Sequence, residues 1–416
     1  MKSVILSIGD ELVLGQTVDT NSAWLSQQLA SVGCDIFAHQ TVSDDQAMIE
    51  LAIRENAPRC DCLLISGGLG PTEDDLTRQG LAAVLNVSLE LDPGWLAQME
   101  AMFAARKRTM VPANRIQAML PKGTTAIHNT CGTACGIRAR IGSCDIYIMP
   151  GVPKEMKAMF TRDILPHIAG RGNGAVILSR TLHTFGMGES NVGQMLGDLM
   201  NRQRNPSVGT TVANGMVSLR INARFKTIDE ARRQIELTDA ACRQCLGHLI
   251  FGADDITLPQ VIAQLLATSG KTIATAESCT GGMLAGMLTD IPGSSRYFLE
   301  GFVTYTNQSK TRILGVRPET LQQHGAVSEP VVAEMAQAAR RLSGADFALA
   351  ISGVAGPDGG TPEKPVGTVC FGFAHTGGVL TRTISHWGDR AMVRDRACKT
   401  ALTILRCHLL NVPLPF

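Results

Sequence analysis

The alternation of apolar runs with helical patterns along the first 170 residues is the feature that most restricts the fold of this chain. Four strand-like runs, SVILSIGD, CDIFAHQTV, DCLLISGG and CDIYIMPG, are separated by segments with helical spacing. This order predicts a mostly parallel sheet with helices on both faces. We therefore predict a three-layer α/β domain over residues 1–170, with ligands bound outside the carboxyl ends of its strands.

The remaining chain divides into two further predicted units. A Gly/Asn-rich segment at 170–175 predicts a linker, and residues 176–250 predict a small α+β unit. The sequence FGADD at 251–255 predicts a second linker, after which residues 255–416 predict another α/β domain. Three domains agree with a length of 416 residues at about 150 residues per domain.

The overall composition excludes several classes of protein. A net charge of +1 and an aromatic content of 4% argue against a nucleic-acid partner. No apolar stretch is long enough to cross a membrane, and the N-terminal apolar run is too short for a signal peptide. We expect a cytoplasmic protein whose 12 cysteines are reduced thiols. Cys242 and Cys245 have metal-like spacing without partners, so packing is preferred to zinc.

A glycine-rich turn follows the third predicted strand, in SGGLGPTEDDLT. Gly67, Gly68 and Gly70 allow the backbone to approach a phosphate closely and to donate N–H groups to it. Thr72 is expected to cap the helix that follows. The glycines are not followed by Gly-Lys-Ser/Thr, so this turn is not a P-loop.

Acidic residues collect at the ends of the same strands. Asp74 and Asp75 follow the glycine turn, while Glu11, Asp19 and the polar Asn21 follow the first strand. Acids in a first helical turn stabilise the helix dipole, which is one interpretation of Asp74 and Asp75. The other interpretation is that these carboxylates hold Mg²⁺ against a pyrophosphate.

These motifs together resemble the N-terminal domain of the CinA family, which is similar to MoaB/MogA-like molybdopterin-binding domains. The resemblance implies a metal-dependent ADP-ribose pyrophosphatase that releases AMP and ribose 5-phosphate. The family usually has proline where this chain has Cys135, in GTACG, which predicts a less restricted loop. Residues 176–250 resemble the KH-like segment of the family, and we interpret them as a spacer because FGMGES is not a basic Gly-x-x-Gly loop.

A second group of polar residues is centred on TAESCTGG, at 275–282. A strand-to-helix turn holds Ser278 and Cys279, where either a nucleophile or an ordinary N-cap is expected. A serine nucleophile needs a base; no histidine lies in these motifs, and His324 in QQHGAVSEP stays open as an alternative. Downstream, GFVTYTNQSK contains Tyr305 and Lys310, and a lysine with a lowered pKa can act as that base.

A second glycine-rich loop, ISGVAGPDGGTPEKPVGT, follows another strand. Its glycines either bind a ligand phosphate through backbone N–H groups or form a mobile turn. Arg390, in WGDR, is expected to pair with a phosphate or with a surface acid. The glycines in question are Gly353, Gly356, Gly359 and Gly360.

This region resembles the C-terminal CinA domain, a nicotinamide-nucleotide amidohydrolase. The resemblance implies conversion of nicotinamide mononucleotide (NMN) to nicotinate mononucleotide and ammonia without a cofactor. It assigns Ser278 as nucleophile, Lys310 as base and Tyr305 as an assisting hydroxyl. Glu300 and Thr306 depart from the family pattern. The resemblance implies a homodimer and covers the whole chain. Two alternatives stay open: a non-catalytic competence- or damage-associated interaction protein and a molybdopterin-binding protein.

Overall fold

The N-terminal region is a three-layer α/β domain, as predicted. The computed structural model describes residues 1–172 and 174–416, so Asn173 of the predicted first linker lies outside the described residues. The strands are β1 (Lys2–Ile8), β2 (Asp35–Val42), β3 (Cys62–Ser66), β4 (Leu89–Leu91), β5 (Met119–Pro121), β6 (Thr125–Ile127), β7 (Gly136–Ile141) and β8 (Cys144–Met149). The helices are α1 (Asp10–Val13), α2 (Thr20–Ser31), α3 (Gln46–Asn56), α4 (Thr77–Leu85), α5 (Pro93–Ala105), α6 (Pro153–Met159) and α7 (Leu165–Ile168).

The main sheet has the order β2-β1-β3-β8-β7-β6 and is mostly parallel. β1 pairs in parallel with β2 and β3, and β3 with β8, while β7 is antiparallel to its neighbours. Every residue of β3 and β8 is buried, as expected for strands covered on both faces. Ser7 is level with Ser66, and Ser66 with Met149, so three strands end together at one edge.

The middle region is a small α+β arrangement. Its elements are β9 (Val176–Phe185), α8 (Glu189–Leu196), β10 (Ser207–Ala213), β11 (Met216–Phe225), α9 (Ile228–Leu246) and β12 (Ile250–Ala253). The four strands form one sheet in the order β10-β11-β9-β12, and β12 is antiparallel to β9.

The prediction of a linker at 251–255 is wrong for its first three residues, because they belong to β12. Phe251 is buried in the same hydrophobic cluster as residues of the C-terminal region. The Arg406 guanidinium donates hydrogen bonds to the carbonyl oxygens of His248 and Ile250, at 2.8 and 3.0 Å. Glycine and acidic residues suggested a turn, but apolar burial of the phenylalanine determines the structure.

The C-terminal region is a second α/β arrangement. Its strands are β13 (Ile273–Glu277), β14 (Phe298–Val303), β15 (Phe347–Gly353), β16 (Thr368–His375) and β17 (Gly378–Ser385). Its helices are α10 (Leu258–Ser269), α11 (Met283–Thr289), α12 (Asn307–Leu314), α13 (Pro318–His324), α14 (Glu329–Ser343) and α15 (Arg390–Leu410). The sheet order is β14-β13-β15-β16-β17, in which β13 is parallel to both neighbours.

Small side chains on one face of this sheet allow a helix to pack closely. Ala274 and Ala276 of β13, with Ala348 and Ala350 of β15, share a buried cluster with α14. The opposite face carries larger side chains, which pack with α10 and α15. Glu277 is level with Val303 and Ile351, so β13, β14 and β15 approach their carboxyl ends at one edge.

Two compact units account for the described chain, namely Met1–Leu178 with Asn222–Ile235, and Ser179–Ile221 with Glu236–Phe416. Most of the middle region therefore shares a unit with the C-terminal region. The predicted boundaries at 170, 176–250 and 255 stay predictions. Within the described residues, no helix is both long enough and apolar enough to span a membrane.

Candidate active sites

A buried lysine contacts a buried serine at the carboxyl end of β13. The Lys310 Nζ atom donates hydrogen bonds to the Ser278 Oγ atom, at 2.9 Å, and to the Thr304 carbonyl oxygen, at 2.8 Å. Lys310 is 1% exposed and Ser278 is 8% exposed. The backbone N–H of Ser278 donates to the Ile351 carbonyl at 2.9 Å, which fixes the serine against β15. The structure therefore brings together the predicted nucleophile and base.

The first turns of α12 position Lys310. Thr306 is the N-cap of this helix, and its hydroxyl accepts a hydrogen bond from the Ser309 N–H at 3.1 Å. The Ser309 hydroxyl in turn contacts the Thr306 N–H, which completes a capping box. Thr306, a departure from the family pattern, thus retains the capping function that a serine would have.

Burial changes the acid–base behaviour of Lys310. Removing its ammonium group from water lowers the pKa of Lys310 from 10.5 to about 8. The described residues include no carboxylate that pairs with it. The amine is therefore partly neutral under mildly alkaline conditions and can accept the proton of Ser278.

Glu277 has a structural role that its place beside the serine did not reveal. Its carboxylate is fully buried and accepts hydrogen bonds from the N–H groups of Gly282, Leu284 and Ala285, at 3.0, 3.0 and 2.8 Å. These groups belong to the start of α11, where backbone donors lack helical partners. Glu277 therefore fixes the turn that contains Ser278.

Cys279 packs in the hydrophobic core next to the nucleophile candidate. Desolvation raises the pKa of the Cys279 thiol to about 11. A thiol that stays protonated near neutral pH is a poor nucleophile. This environment supports the interpretation of Cys279 as a packing residue.

Tyr305 and Arg390 lie together above the second glycine-rich loop. The Arg390 Nη2 atom donates to the Tyr305 hydroxyl at 2.9 Å, and Nη1 donates to the Gly356 carbonyl at 2.8 Å. Tyr305 is 56% exposed, and in the described structure its hydroxyl has Arg390, not Ser278, as partner. The arrangement presents a guanidinium group at the surface, where it can meet an anion.

Three of the four glycines in this loop are packed closely. A Cβ atom added at Gly356 would lie 2.6 Å from the Val366 side chain, and one added at Gly360 would lie 2.9 Å from the Val366 backbone N atom. At Gly353 it would lie 2.8 Å from a side chain of β16. Gly359 has a φ of +88° and ordinary van der Waals room. Tight loop packing therefore explains Gly353, Gly356 and Gly360, whereas at Gly359 the positive φ angle, and not a lack of room, favours glycine.

A cavity of about 370 Å³ lies at the joint carboxyl ends of β1, β3 and β8. The glycine turn forms one wall. Five acidic residues line the cavity: Glu11, Asp44, Asp74, Asp75 and Glu155. Sequence reasoning missed Asp44, because it lies outside the turns that carry the glycines.

The charge of this cavity favours a cation. Burial, together with the negative charges of Asp10, Glu11 and Asp74, raises the pKa of the Asp44 carboxyl. Carboxylate oxygens are the ligands that Mg²⁺ prefers, so the donor set fits a divalent ion. In the part of the chain that the structure describes, no three His, Cys, Asp or Glu side chains are already grouped to hold a metal.

Asp75 organises the glycine turn. Its carboxylate accepts hydrogen bonds from the Gly70 N–H at 2.7 Å, from the Thr72 N–H at 2.9 Å and from the Thr72 hydroxyl. The prediction that Thr72 caps the helix, with Asp74 and Asp75 in its first turn, is wrong, because α4 begins at Thr77. The local hydrogen bonds of Asp75 form an additional turn before the helix starts.

A buried arginine that sequence reasoning missed supports this turn. Arg78 is 1% exposed, and its guanidinium donates to the carbonyl oxygens of Leu69 and Gly70. The Thr77 hydroxyl donates to the Gly67 carbonyl at 2.9 Å. Gly67 and Gly68 have φ angles of +114° and +64°, which favour glycine. An arginine in a helical pattern looks solvated in the sequence, so no signal identified it.

Asp19 and Asn21 lie outside the cavity lining. Asp19 is the N-cap of α2, and its oxygens accept hydrogen bonds from the Ser22 N–H and from two serine hydroxyls. The Asn21 amide donates to the Gly151 carbonyl at 2.8 Å, in the turn after β8. Both residues therefore stabilise elements around the site.

Hydrogen bonds hold the loop that contains Cys135, the position where the family usually has proline. The Asn129 amide donates to the Ala134 carbonyl at 2.8 Å and to the Glu155 carboxylate at 2.7 Å. Cys135 is 2% exposed, and its thiol donates to the Gln117 carbonyl at 3.4 Å. These contacts restrict the loop in place of the missing proline.

Three family models match successive parts of the chain. A "Probable molybdopterin binding domain" matches residues 4–170, a "Damage-inducible protein CinA KH domain" matches 179–252, and a "CinA C-terminal domain" matches 255–409. A relative from Symbiobacterium thermophilum, which carries a competence-damage inducible protein name, is 44% identical over 99% of this chain and 99% of its own length. A CinA-like protein from Desulfosudis oleivorans is 41% identical over 99% of this chain and 100% of its own length.

One solved structure, the competence/damage inducible protein CihA from Agrobacterium tumefaciens, is 43% identical. The match covers 37% of this chain and 93% of that one, with a TM-score of 0.36. The relatives match nearly the whole chain, and the three family models match successive parts of it. The chain therefore belongs to the CinA family of competence- and damage-inducible proteins.

Proposed function

We propose that the C-terminal domain hydrolyses the carboxamide of NMN and releases nicotinate mononucleotide and ammonia in pyridine nucleotide salvage. The observation that carries this proposal is the buried contact between Lys310 and Ser278. The lowered pKa of Lys310 makes this pair suitable for nucleophilic catalysis. The resemblance to nicotinamide-nucleotide amidohydrolases supplies the substrate.

The reaction follows from the two side chains. Neutral Lys310 removes the hydroxyl proton of Ser278, and the Oγ atom forms a bond to the carboxamide carbon. The carbon–nitrogen bond then breaks, and Lys310 returns the proton to the leaving ammonia. Water attacks the acyl-serine, giving the carboxylate product and restoring Ser278.

Arg390 is proposed to bind the substrate phosphate. Its guanidinium is exposed and held between the Tyr305 hydroxyl and the Gly356 carbonyl. A guanidinium fixed in this way loses little freedom when it forms charge-assisted hydrogen bonds with a phosphate. In this proposal Tyr305 positions Arg390. This positioning role takes the place of the catalytic role that was expected for the Tyr305 hydroxyl.

We propose a second activity for the N-terminal domain, namely metal-dependent hydrolysis of ADP-ribose to AMP and ribose 5-phosphate. The acidic cavity beside the glycine turn carries this proposal. Glu11, Asp44 and Asp74 line this cavity, and if their carboxylates converge on a divalent ion, that ion would neutralise pyrophosphate charge and activate water. The N–H of Gly68 would donate to the pyrophosphate, because the N–H groups of Gly67 and Gly70 already donate to the Met149 carbonyl and to the Asp75 carboxylate. Asp75 and Asp19 keep the structural hydrogen bonds described above.

Amidase activity is tested by measuring ammonia release from NMN with purified full-length protein. Ser278→Ala should lower the rate by at least about a thousandfold while the protein stays folded. Cys279→Ala, at the neighbouring position, is the matched control and should retain most of the activity. Full activity in Ser278→Ala with loss in Cys279→Ala would reject the assignment. Sedimentation of the same preparations tests the homodimer that the family resemblance implies.

A further inference from the structure

A second cavity, of about 480 Å³, lies within the unit formed by Ser179–Ile221 and Glu236–Phe416. Its walls come from the β9–α8 turn, from β11 and from the segment that joins β17 to α15. Residues of neither proposed active site line it. The cavity therefore requires its own explanation.

A buried cation without a counter-charge lines this cavity. Arg396 is 4% exposed, and its guanidinium lies 3.6 Å from the centre of the Trp387 ring. Its Nη1 atom donates to the Trp387 carbonyl at 2.6 Å. The adjacent Asp395 carboxylate pairs with Lys399 at 2.7 Å, and no described acid forms an ion pair with Arg396.

One edge of this guanidinium lacks a hydrogen-bond acceptor among the described residues. The Nε atom is buried without a hydrogen-bond partner in the described structure, and no described group accepts a hydrogen bond from Nη2. Through its Nε and Nη2 atoms, an arginine can donate two parallel hydrogen bonds to one carboxylate. A buried charge that lacks such a partner is costly, so an anion would stabilise this site.

The other ionisable groups of the cavity limit the charge of that anion. Burial, and then the charge of Arg396, lower the pKa of His386 to about 4, so this imidazole is neutral near pH 7. Glu189 lines the cavity from an exposed position, and its carboxylate accepts a hydrogen bond from Thr210. Among the described residues that line the cavity, Arg396 is therefore the one cation without an ion-pair partner. A single positive charge matches a monoanion better than a phosphate dianion.

The remaining walls favour an apolar, flat ligand. Phe185, Val217, Ile384 and Phe416 contribute apolar surface. Trp387 is 68% exposed, although one face of its ring covers the Arg396 guanidinium. Aromatic rings stack favourably on such an indole.

We propose that this cavity is a third ligand site, separate from the two proposed active sites, and that it binds a small aromatic monocarboxylate. The carboxylate accepts hydrogen bonds from the Nε–Nη2 edge of Arg396, and the ring of the ligand packs against Trp387 and the apolar walls. The site is independent of the two proposed reactions, because none of their residues takes part.

Calorimetric titration of the full-length protein tests this proposal, with benzoate as the probe. Benzoate should bind at one site per chain. Benzamide, which has the same shape without the charge, should bind at least about tenfold more weakly, because it cannot form the charge-assisted pair. Inorganic phosphate should not bind at this site. Equal binding of benzamide, stronger binding of phosphate at this site, or no saturable binding of benzoate would overturn the proposal.

Two variants locate the site. Arg396→Gln should abolish benzoate binding, and Trp387→Leu should weaken it by about fivefold or more through loss of ring stacking. Trp387 is exposed, so its variant should fold even if loss of Arg396 destabilises the protein. Arg382→Gln, an exposed arginine of β17 outside the cavity, is the matched control and should bind benzoate normally. Unchanged binding in Trp387→Leu, or loss in Arg382→Gln, would show that the probe binds elsewhere.

Discussion

The amine of Lys310 lies 2.9 Å from the hydroxyl of Ser278, and both groups are buried. The contact joins the end of β13 to α12 across 32 residues of chain. A second hydrogen bond, to the Thr304 carbonyl, fixes the amine on the same side. Because the nearby carboxylate of Glu277 is occupied by the start of α11, no described acid forms an ion pair with the buried lysine.

The pH dependence of ammonia release from NMN should reflect the lysine base. Lys310 is active when neutral, and burial lowers its pKa to about 8. The value of kcat/KM should therefore rise about tenfold per pH unit below about pH 8 and level off above it. Rates measured between about pH 6 and pH 9.5 test this expectation. A flat profile over this range would exclude Lys310 as the base.

Replacing the buried amine should change how stability depends on pH. Lowering the pKa of Lys310 from 10.5 to about 8 means that the unfolded chain binds more protons between these values. The contribution of this pKa difference to the free energy of unfolding is fully present above about pH 10.5. It is lost as the pH falls towards 8, and the free energy of unfolding decreases by about 3 kcal/mol. The Lys310→Met variant has no amine at this position, so its free energy of unfolding should not show this pH-dependent change.

Urea unfolding of wild type and Lys310→Met at about pH 7.5 and pH 10 measures the effect. Most of the expected change falls between these two values. The difference in unfolding free energy should move in favour of wild type as the pH rises, because other titrating groups are common to both proteins. A constant difference would mean that the amine is not desolvated.

The sequence predicted the strands of the fold more accurately than it predicted the roles of individual residues. Apolar runs identified β1, β2, β3 and β8. β3 and β8 are buried on both faces, and such strands must be apolar, whereas the residues of β2 alternate between exposed and partly buried. Ser278 and Lys310 were found through family resemblance, since their separation of 32 positions in the sequence conceals their contact. The pattern of the chain gave no indication that Arg78 is buried, that Asp75 closes a turn, or that Phe251 belongs to a strand. These roles depend on neighbours that are distant in sequence or on local hydrogen bonds.

The N-terminal domain should lose activity when one carboxylate of the acidic cavity is neutralised. Asp74→Asn should lower AMP formation from ADP-ribose about tenfold to a hundredfold and weaken the dependence on Mg²⁺. Asp45→Asn is a matched control, because Asp45 is the exposed N-cap of α3 and asparagine caps about as well. Chelation should stop AMP formation and leave ammonia release from NMN unchanged. AMP formation that persists after chelation would reject a metal site.

Tyr305 and Arg390 should act as one unit in binding the substrate phosphate. Arg390→Gln should raise the KM for NMN, and Tyr305→Phe should raise it about threefold to tenfold, since the guanidinium loses one of its two partners. The double variant should be no worse than Arg390→Gln, because the two changes remove the same interaction. Nicotinamide riboside, which lacks the phosphate, is the control substrate, and its kinetics should be similar in all three variants. If Tyr305→Phe instead lowers kcat for both substrates with an unchanged KM, the hydroxyl assists Ser278 directly.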